Sequence, residues 1–192
     1  MNTAEHLLLE SLRRERDESS FRALYRRHTP MLFAMAIRLT GKRSEAEELT
    51  QETWVRAVER IDRFDGRALL STWLTGILLN CLREARRRYA RDHAAIDDAE
   101  SASAKIIPVF PGPHTLVDAA EVERALSQLA AGYREVVLLH DVYGHTHLEI
   151  ADMLGIQEGT SKSQLMRGRA QLRVLINAPH SAQPEHNERG AT

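Results

Sequence analysis

Apolar residues recur at intervals of three and four along most of the chain from residue 3 to residue 91, and no stretch there alternates apolar with polar residues. This spacing places apolar side chains on one face of an α-helix, whereas a half-buried strand requires alternation. The first long stripe, which includes Phe21 and Tyr25, is predicted to end near Gly41. The pattern predicts an all-α fold.

The stretch from Ser44 to Arg63 is predicted to form a helix with an acidic outer face. Ser44 is a candidate N-cap, because Glu47 follows three residues later as in a capping box. The outer face carries Glu45, Glu48, Glu52, Arg56, Glu59 and Arg63. From spacing alone, the favoured interpretation is a solvated face with i,i+4 ion pairs.

The stretch from Ser71 to Arg91 is predicted to form a helix with two contrasting faces, capped by Ser71 or Thr72. Its apolar face includes Leu74, Ile77, Leu78, Cys81, Leu82, Ala85 and Tyr89. Its other face carries Trp73, Gly76, Asn80, Arg83 and Arg87. Aromatic rings stack on bases, amides pair with base edges and guanidinium groups hold phosphates, so this face suits unpaired DNA. For Trp73, base contact and simple packing remain equally open.

Helical periodicity stops between residues 93 and 118, where acidic residues, serines and prolines predict a flexible linker. The apolar run Ile106–Phe110 is unusual for such a linker. The polar tail 178–192 has no apolar face and is predicted to be disordered. Two small helical domains are therefore expected, an N-terminal bundle at 1–92 and a second domain at 119–177.

The second domain has the pattern of a helix-turn-helix. Ala151 is small where two helices cross, and Gly155 provides the turn four residues later. The following helix carries hydroxyl, amide and basic side chains suited to base edges and phosphates. Ser161 and Gly168 fall on its inward face, where an aliphatic residue and an alanine are expected to pack better, which predicts a less rigid recognition helix.

Composition narrows the possible functions. Lysine and arginine number 26 against 27 aspartates and glutamates, a formal net charge of -1, so DNA binding must depend on local basic patches. The single cysteine, Cys81, excludes an internal disulfide and is predicted to be a core residue. His140, His145 and His147 are close in sequence, but they are interpreted as loop histidines, and we expect no metal and no cofactor.

The chain shows no signal peptide and no apolar run near the roughly 20 residues of a membrane span. These observations predict a cytoplasmic protein without membrane insertion.

Taken in order, the motifs resemble those of the extracytoplasmic-function (ECF) sigma factors, which belong to the sigma-70 family. The resemblance lies in four segments: FRALYRRH at 21–28, AEELTQETWVRA at 46–57, the loop and helix at 64–80, and the helix-turn-helix at 133–169. It implies a non-enzymatic subunit that binds core RNA polymerase and directs promoter recognition and transcription initiation.

The resemblance also assigns candidate site residues. Contacts to the clamp helices of the largest polymerase subunit are expected from Glu48, Gln51, Glu52 and Arg56. Recognition and melting of the −10 element are expected from Asp65, Gly66, Arg67, Leu69, Ser71, Trp73, Asn80, Arg83, Arg86 and Arg87. Contacts to the −35 element are expected from Thr160, Lys162, Ser163, Gln164, Arg167 and Arg169.

The resemblance further implies three partners: core RNA polymerase, promoter DNA and an anti-sigma factor. Two other interpretations stay open on the residues alone. A conventional helix-turn-helix repressor or activator would bind duplex DNA tightly without polymerase. A helical enzyme or metal sensor would depend on His145 and His147.

Overall fold

The structure is a computed structural model that describes residues 3–93 and 119–177. The helices in these ranges are α1 (Thr3–Glu15), α2 (Glu18–Thr40), α3 (Arg43–Arg60), α4 (Leu70–His93), α5 (Ala119–Gln128), α6 (Ala131–Val137), α7 (His147–Leu154) and α8 (Glu158–Asn177). A 3₁₀ turn, Ile61–Arg63, follows α3, and a π turn, Leu138–Val142, follows α6. No strand occurs in the described ranges, which confirms the all-α prediction.

Both ends of α2 are fixed by capping residues. The Asp17 carboxylate accepts hydrogen bonds from the backbone N–H groups of Ser19 and Ser20, which otherwise lack partners at a helix start. Hydrogen bonds from the hydroxyls of Ser20 and Ser19, together with these backbone bonds, lower the pKa of Asp17. At the other end, Gly41 adopts the left-handed conformation with φ 73° and donates its N–H to Ile37. The prediction that this helix ends near Gly41 is confirmed.

The predicted starts of the next two long helices were wrong. Lys42 is the extended N-cap of α3, so Ser44 lies inside the first turn and Glu47 pairs with Arg43 at 2.8 Å instead of closing a capping box. Likewise, α4 begins at the buried Leu70, before both predicted caps. At the start of α3, Lys42 makes no side-chain capping hydrogen bond.

Helices α1 to α4 enclose the N-terminal core. Its fully buried side chains include Leu9, Leu24, Leu32, Met35, Leu74 and Leu78. Two tyrosines predicted for apolar stripes are exposed instead, Tyr25 to 39% and Tyr89 to 65%. Tyr25 lies at the edge of the core with its ring 5.2 Å from that of Trp54, and Tyr89 lines the rim of a groove beside α3.

Helices α5 to α8 form the C-terminal domain around Val136, Leu139, Ile150 and Leu165. Thr146 and Glu149 form a capping box at the start of α7. Gly155 ends α7 in the left-handed conformation with φ 66°, as the turn of a helix-turn-helix requires.

The inward positions of α8 differ from the sequence prediction. Ser161 is fully buried, and its hydroxyl is 2.9 Å from His147 Nδ1, so a polar residue is satisfied there. A Cβ at Gly168 would lie 2.8 Å from Val137 Cγ2 and 3.3 Å from Tyr133 Cβ. Alanine would therefore not pack better at position 168, because α6 and α8 approach too closely to admit its methyl group.

The two domains contact each other through α2 with α5 and α6, and through α4 with α7. Arg38 of α2 donates hydrogen bonds to Glu123 at 2.8 Å and to the Tyr143 hydroxyl at 3.0 Å. Burial by itself would lower the pKa of Arg38, but the phenol and the carboxylate more than offset it, so the pKa is raised. The predicted linker beyond His93, its apolar run 106–110 and the tail 178–192 lie outside the described residues.

Candidate nucleic-acid interface

The loop before α4 is exposed and shaped by its own polar groups. The backbone N–H of Arg67 donates to Asp65 Oδ1 at 3.0 Å, and Gly66 has a left-handed φ of 75°. Leu69 is 53% exposed although it is apolar. An exposed apolar side chain beside a tight turn gives an unstacked base a surface to contact.

Trp73 packs against the protein and also remains partly accessible, so base contact stays a prediction. Its ring lies 5.2 Å from that of the buried Phe64, so the indole packs against the end of the loop. Trp73 remains half-buried and also lines a crevice with Asn80 and Arg83. The packing holds the ring in place while part of it stays accessible.

The crevice has a volume of about 500 Å³ and joins residues from several elements. One wall is formed by Thr72, Trp73, Gly76, Ile77, Asn80 and Arg83 of α4. Arg60 and Arg63, at the end of α3 and in the following turn, also line it. The opposite wall is α7, which contributes Glu149, Asp152 and Met153.

Sequence reasoning missed Arg60 and placed Arg63 on a solvated outer face. Their position directly before the loop was the available signal, since a chain reversal there returns both side chains to the start of α4. The crevice therefore contains more cations than the α4 helix alone supplies.

The predicted phosphate-binding arginines of α4 have different surroundings. Arg83 donates to the backbone oxygen of Met153 and, at 3.3 Å, to that of Leu154. Arg86 forms an ion pair with Glu135 of α6. Arg87 is exposed and lies outside the crevice.

Some residues on the acidic face of α3 are exposed to solvent, and others form ion pairs with neighbouring side chains. Glu48 and Gln51 are exposed. Arg56 bridges Glu84 and Glu52, both at 2.7 Å, and its side chain is only 18% exposed. These hydrogen bonds raise the pKa of Arg56, and Arg56 in turn lowers the pKa of Glu84. Arg56 thus joins α3 to α4.

A groove of about 730 Å³ lies between α3 and the second half of α4. Leu39, Leu49, Leu82 and Cys81 form its apolar part, and Glu45, Glu48 and Glu52 lie along it. Cys81 is 2% exposed, as predicted for a core residue, and burial raises the pKa of its thiol.

The candidate −35 residues occupy two settings on α8. Lys162, Arg167 and Arg169 are exposed, whereas Thr160, Ser163 and Gln164 are half-buried. Arg169 makes two hydrogen bonds to Asp141, the one from Nε being 2.9 Å long, which lowers the pKa of Asp141. Lys162 pairs with Glu158 at 2.6 Å, so phosphate contact by Lys162 or Arg169 would exchange an existing ion pair for a new one.

The three histidines do not assemble into a ligand set. The rings of His140 and His147 stack at 4.7 Å, and His147 faces Ser161. His145 is buried, and burial lowers its pKa. Within residues 3–93 and 119–177, no group of three or more His, Cys, Asp or Glu side chains could hold a metal ion.

No helix in the described ranges is both long and apolar enough to cross a membrane.

Each of the two domains matches a known protein family. Residues 24–92 match the family Sigma-70 region 2, and residues 119–172 match the family Sigma-70, region 4. The first match contains the acidic face of α3 and the α4 face, and the second contains the helix-turn-helix. The two matches define a protein of the sigma-70 class.

Individual relatives define the group more closely. The chain is 34% identical over 147 residues to the ECF RNA polymerase sigma factor EcfG of Rhodopseudomonas palustris, covering 77% of this chain and 80% of that protein. It is 35% identical over 162 residues to the ECF RNA polymerase sigma factor SigM of Mycobacterium tuberculosis, covering 83% and 79%. The chain belongs to the ECF RNA polymerase sigma factors.

Solved structures share the fold. The sigma factor RpoE of Bartonella quintana, in complex with the anti-sigma factor NepR, is similar with a TM-score of 0.70 and 29% identity, over 82% of this chain and 97% of that one. CnrH, in complex with the cytosolic domain of CnrY, has a TM-score of 0.62 and 26% identity, over 91% and 98%.

Proposed function

We propose that this chain binds core RNA polymerase and supplies two DNA-reading domains, 1–92 and 119–177, joined by the segment 93–118. The observation that carries the proposal is the crevice, which brings the Trp73 ring, the Asn80 amide and three arginines next to an exposed loop. This combination suits an unpaired, flipped base and its flanking phosphates. Polymerase would supply the catalysis, and the chain would act in the cytoplasm.

Promoter melting would proceed by capture of an unstacked base. The loop residues Asp65, Gly66, Arg67 and Leu69, together with Ser71 in the first turn of α4, would border the base. Trp73 and Asn80 would contact it. Arg83, Arg86 and Arg87 would hold the strand. Binding in such a pocket offsets the few kcal/mol that unstacking costs. The family membership and the position of this face within the matched region 2 support the assignment.

Upstream recognition would use α8. The exposed Lys162, Arg167 and Arg169 are suited to phosphates, and Thr160, Ser163 and Gln164 offer polar groups for base edges. Each domain would bind weakly alone, and tethering both to polymerase raises their effective concentration at the promoter.

Polymerase docking would use the acidic face of α3 and the adjacent groove. Glu48 and Glu52 lie beside the apolar floor of the groove, which suits a partner helix with basic and apolar residues. Gln51 is exposed on the same helix and would add a polar contact. Arg56 would act indirectly by holding Glu52 in place. The same surfaces would be available to an anti-sigma factor, since both similar solved structures are named as complexes, one of them explicitly with an anti-sigma factor.

The melting assignment is tested with Asn80→Ala in reconstituted polymerase. We expect strand opening, measured as permanganate reactivity of promoter thymines, to fall about tenfold, because a hydrogen-bonded pair between an amide and a base edge is worth roughly 1–3 kcal/mol. Binding to core polymerase should be unchanged. Gln128→Ala removes an exposed amide on α5 and is the matched control. Normal opening by Asn80→Ala would contradict the assignment.

The docking assignment is tested by charge reversal. Glu48→Arg should weaken capture of core polymerase about tenfold or more, since it places a cation where a basic partner helix would bind. Glu18→Arg, on the exposed start of α2, makes the same charge change away from α3. If both variants capture core polymerase equally well, the acidic face of α3 is a solvated surface and not a docking site.

A further inference from the structure

We propose that α1 supports the turn Ile61–Arg63 and the adjoining Phe64, and so holds Trp73 in place for strand opening, with Arg13 as the positioning residue. The inference rests on the proposed function of the α4 face and deepens it. It gives a role to α1, which lies outside both family matches, at residues 24–92 and 119–172.

Arg13 contacts the chain on both sides of this turn. Its side chain is 24% exposed, and its Nε donates to the backbone oxygen of Ile61 at 3.1 Å, across 48 positions of sequence. Its guanidinium carbon lies over the Phe64 ring, 5.9 Å from the ring centre, within the range of a cation–π interaction. One side chain of α1 therefore fixes both the last residue group of α3 and the start of the loop.

The contacts continue from Phe64 to Trp73. Phe64 is 3% exposed, and its ring centre lies 5.2 Å from that of Trp73. Trp73 also borders a void of about 10 Å³ that Leu12 of α1 and Leu70 help to line. Because a space of this size is no larger than one water molecule, the packing beneath the indole is nearly complete. The position of the ring thus depends on α1 through both Arg13 and Leu12.

Stability alone does not explain an arginine at position 13. Its Nη2 is buried and has no hydrogen-bond partner within residues 3–93 and 119–177. A buried donor without a partner costs free energy, which an apolar side chain of similar length avoids. Only the guanidinium, however, can donate to the Ile61 carbonyl and place a cation over Phe64. The choice of arginine therefore favours the geometry of the turn over the stability of the core.

Arg16 makes a second contact with the same turn. Its Nη2 lies 2.8 Å from Asp62 Oδ2. Arg16 has a φ of 52°, the only positive φ of a residue other than glycine in the part of the chain that the structure describes. This backbone conformation costs free energy in an arginine and persists where surrounding contacts hold it. The connection between α1 and α2 is thus strained where it brings a second guanidinium to the turn.

The other end of α1 is anchored to α2. Glu5 and His28 are 6% and 8% exposed, and Glu5 Oε1 lies 2.7 Å from His28 Nε2. With both ends fixed, α1 can hold the turn in one position. Arg60 and Arg63, which line the crevice, flank and belong to that turn. Groups that are already in place lose less conformational freedom when a strand binds, so the support from α1 favours base capture.

The first test follows Trp73 in the free full chain. With 5-fluorotryptophan, the two tryptophans give separate ¹⁹F NMR signals, and Trp73→Phe identifies the signal of Trp73. Arg13→Met should shift or broaden this signal, because the Phe64 ring loses its support. Arg14→Met is the matched control, since it removes the same charge from a neighbouring side chain that is 79% exposed. It should leave the signal unchanged.

The second test measures strand opening by permanganate reactivity in reconstituted polymerase. Arg13→Met should lower opening about fivefold relative to Arg14→Met, the lower end of the cost of losing one base–aromatic stack. Capture of core polymerase should be unchanged. In a Trp73→Ala background, Arg13→Met should have no further effect, because both changes act on one contact. A merely structural role of Arg13 would lower opening in both backgrounds.

A second variant serves if Arg13→Met does not fold. The Asp62 side chain is 57% exposed, so Asp62→Asn removes the contact with Arg16 without touching the core. It should also move the Trp73 signal. Asp92→Asn makes the same change at an exposed position roughly 28 Å along α4 from Trp73, and should not move it.

The outcomes are distinct. An unmoved Trp73 signal in Arg13→Met, or in Asp62→Asn if Arg13→Met does not fold, would overturn the proposal without polymerase. A moved signal with normal opening, or with an equal loss of opening in the Trp73→Ala background, would also overturn it. A moved signal with a loss of opening that depends on Trp73 would support it. Normal opening by both Trp73→Ala and Asn80→Ala would reject the proposed function of the α4 face, and the role of Arg13 in opening with it.

Discussion

At position 168, α8 has a glycine in the middle of a helix, where intrinsic propensity alone favours alanine by roughly 1 kcal/mol. The structure gives the opposite expectation, because the added methyl group would meet Val137 at 2.8 Å. Val137 is buried and β-branched, so it has little freedom to move away. We expect Gly168→Ala to lower the free energy of unfolding by about 1–3 kcal/mol, the usual cost of overpacking.

Urea denaturation followed by circular dichroism measures this difference, with Gly159→Ala as the matched control. A Cβ at Gly159 meets nothing within 4 Å, so that substitution should be neutral or slightly stabilising. Greater stability in Gly168→Ala would show that α6 and α8 are not packed as closely as described.

His145 links stability of the C-terminal domain to pH. Burial lowers its pKa below the ordinary value of 6.5, so the folded protein binds this proton less readily than the unfolded chain does. The stabilisation is therefore present above about pH 6.5 and is lost as the pH falls towards the lowered pKa of the folded state. Melting temperatures should fall between pH 7.5 and pH 5.5, and His145→Gln should show a shallower fall. Identical slopes would assign the effect to other groups.

At the scale of the helix, α3 shows where sequence patterns mislead. Ser44 and Glu47 have the spacing of a capping box, yet α3 begins at Arg43 with no side-chain cap at Lys42. Lys42→Asp should then stabilise the protein by about 1 kcal/mol. A carboxylate at the N-cap accepts a hydrogen bond from a backbone N–H of the first turn, and its negative charge interacts favourably with the partial positive charge at the helix start. Ser44→Ala should be neutral. If Ser44→Ala instead lowers the free energy of unfolding by about 1 kcal/mol in thermal unfolding, Ser44 is the N-cap and the capping box forms.

Periodicity predicted the helices because burial of one apolar stripe dominates their energetics. It predicted Cys81 and Leu74 as core residues for the same reason. Helix starts were predicted poorly, since they depend on backbone angles at single residues such as Lys42. The close approach of Gly168 to α6, and the bond between Ser161 and His147, depend on tertiary contacts that no local pattern contains.

On the scale of the whole molecule, the order of the motifs in the sequence predicted two helical domains. It did not predict that the two domains contact each other. The residues on the α4 face were identified from chemistry at helical spacing, and the structure brings Trp73, Asn80 and Arg83 into one crevice. That α7 forms its opposite wall could not be predicted, because the contact joins residues about 70 positions apart across the linker, as Arg83 and Met153 show.

The central claim is that the chain directs core RNA polymerase to promoters. The most direct measurement maps RNA 5′ ends made by core polymerase on fragmented genomic DNA, with and without the full chain. Discrete start sites that appear only when the chain is added, and whose signal falls about tenfold with Asn80→Ala, are the predicted result. An unchanged transcript profile, together with tight binding of the chain alone to a palindromic duplex, would contradict the claim and favour a conventional helix-turn-helix regulator.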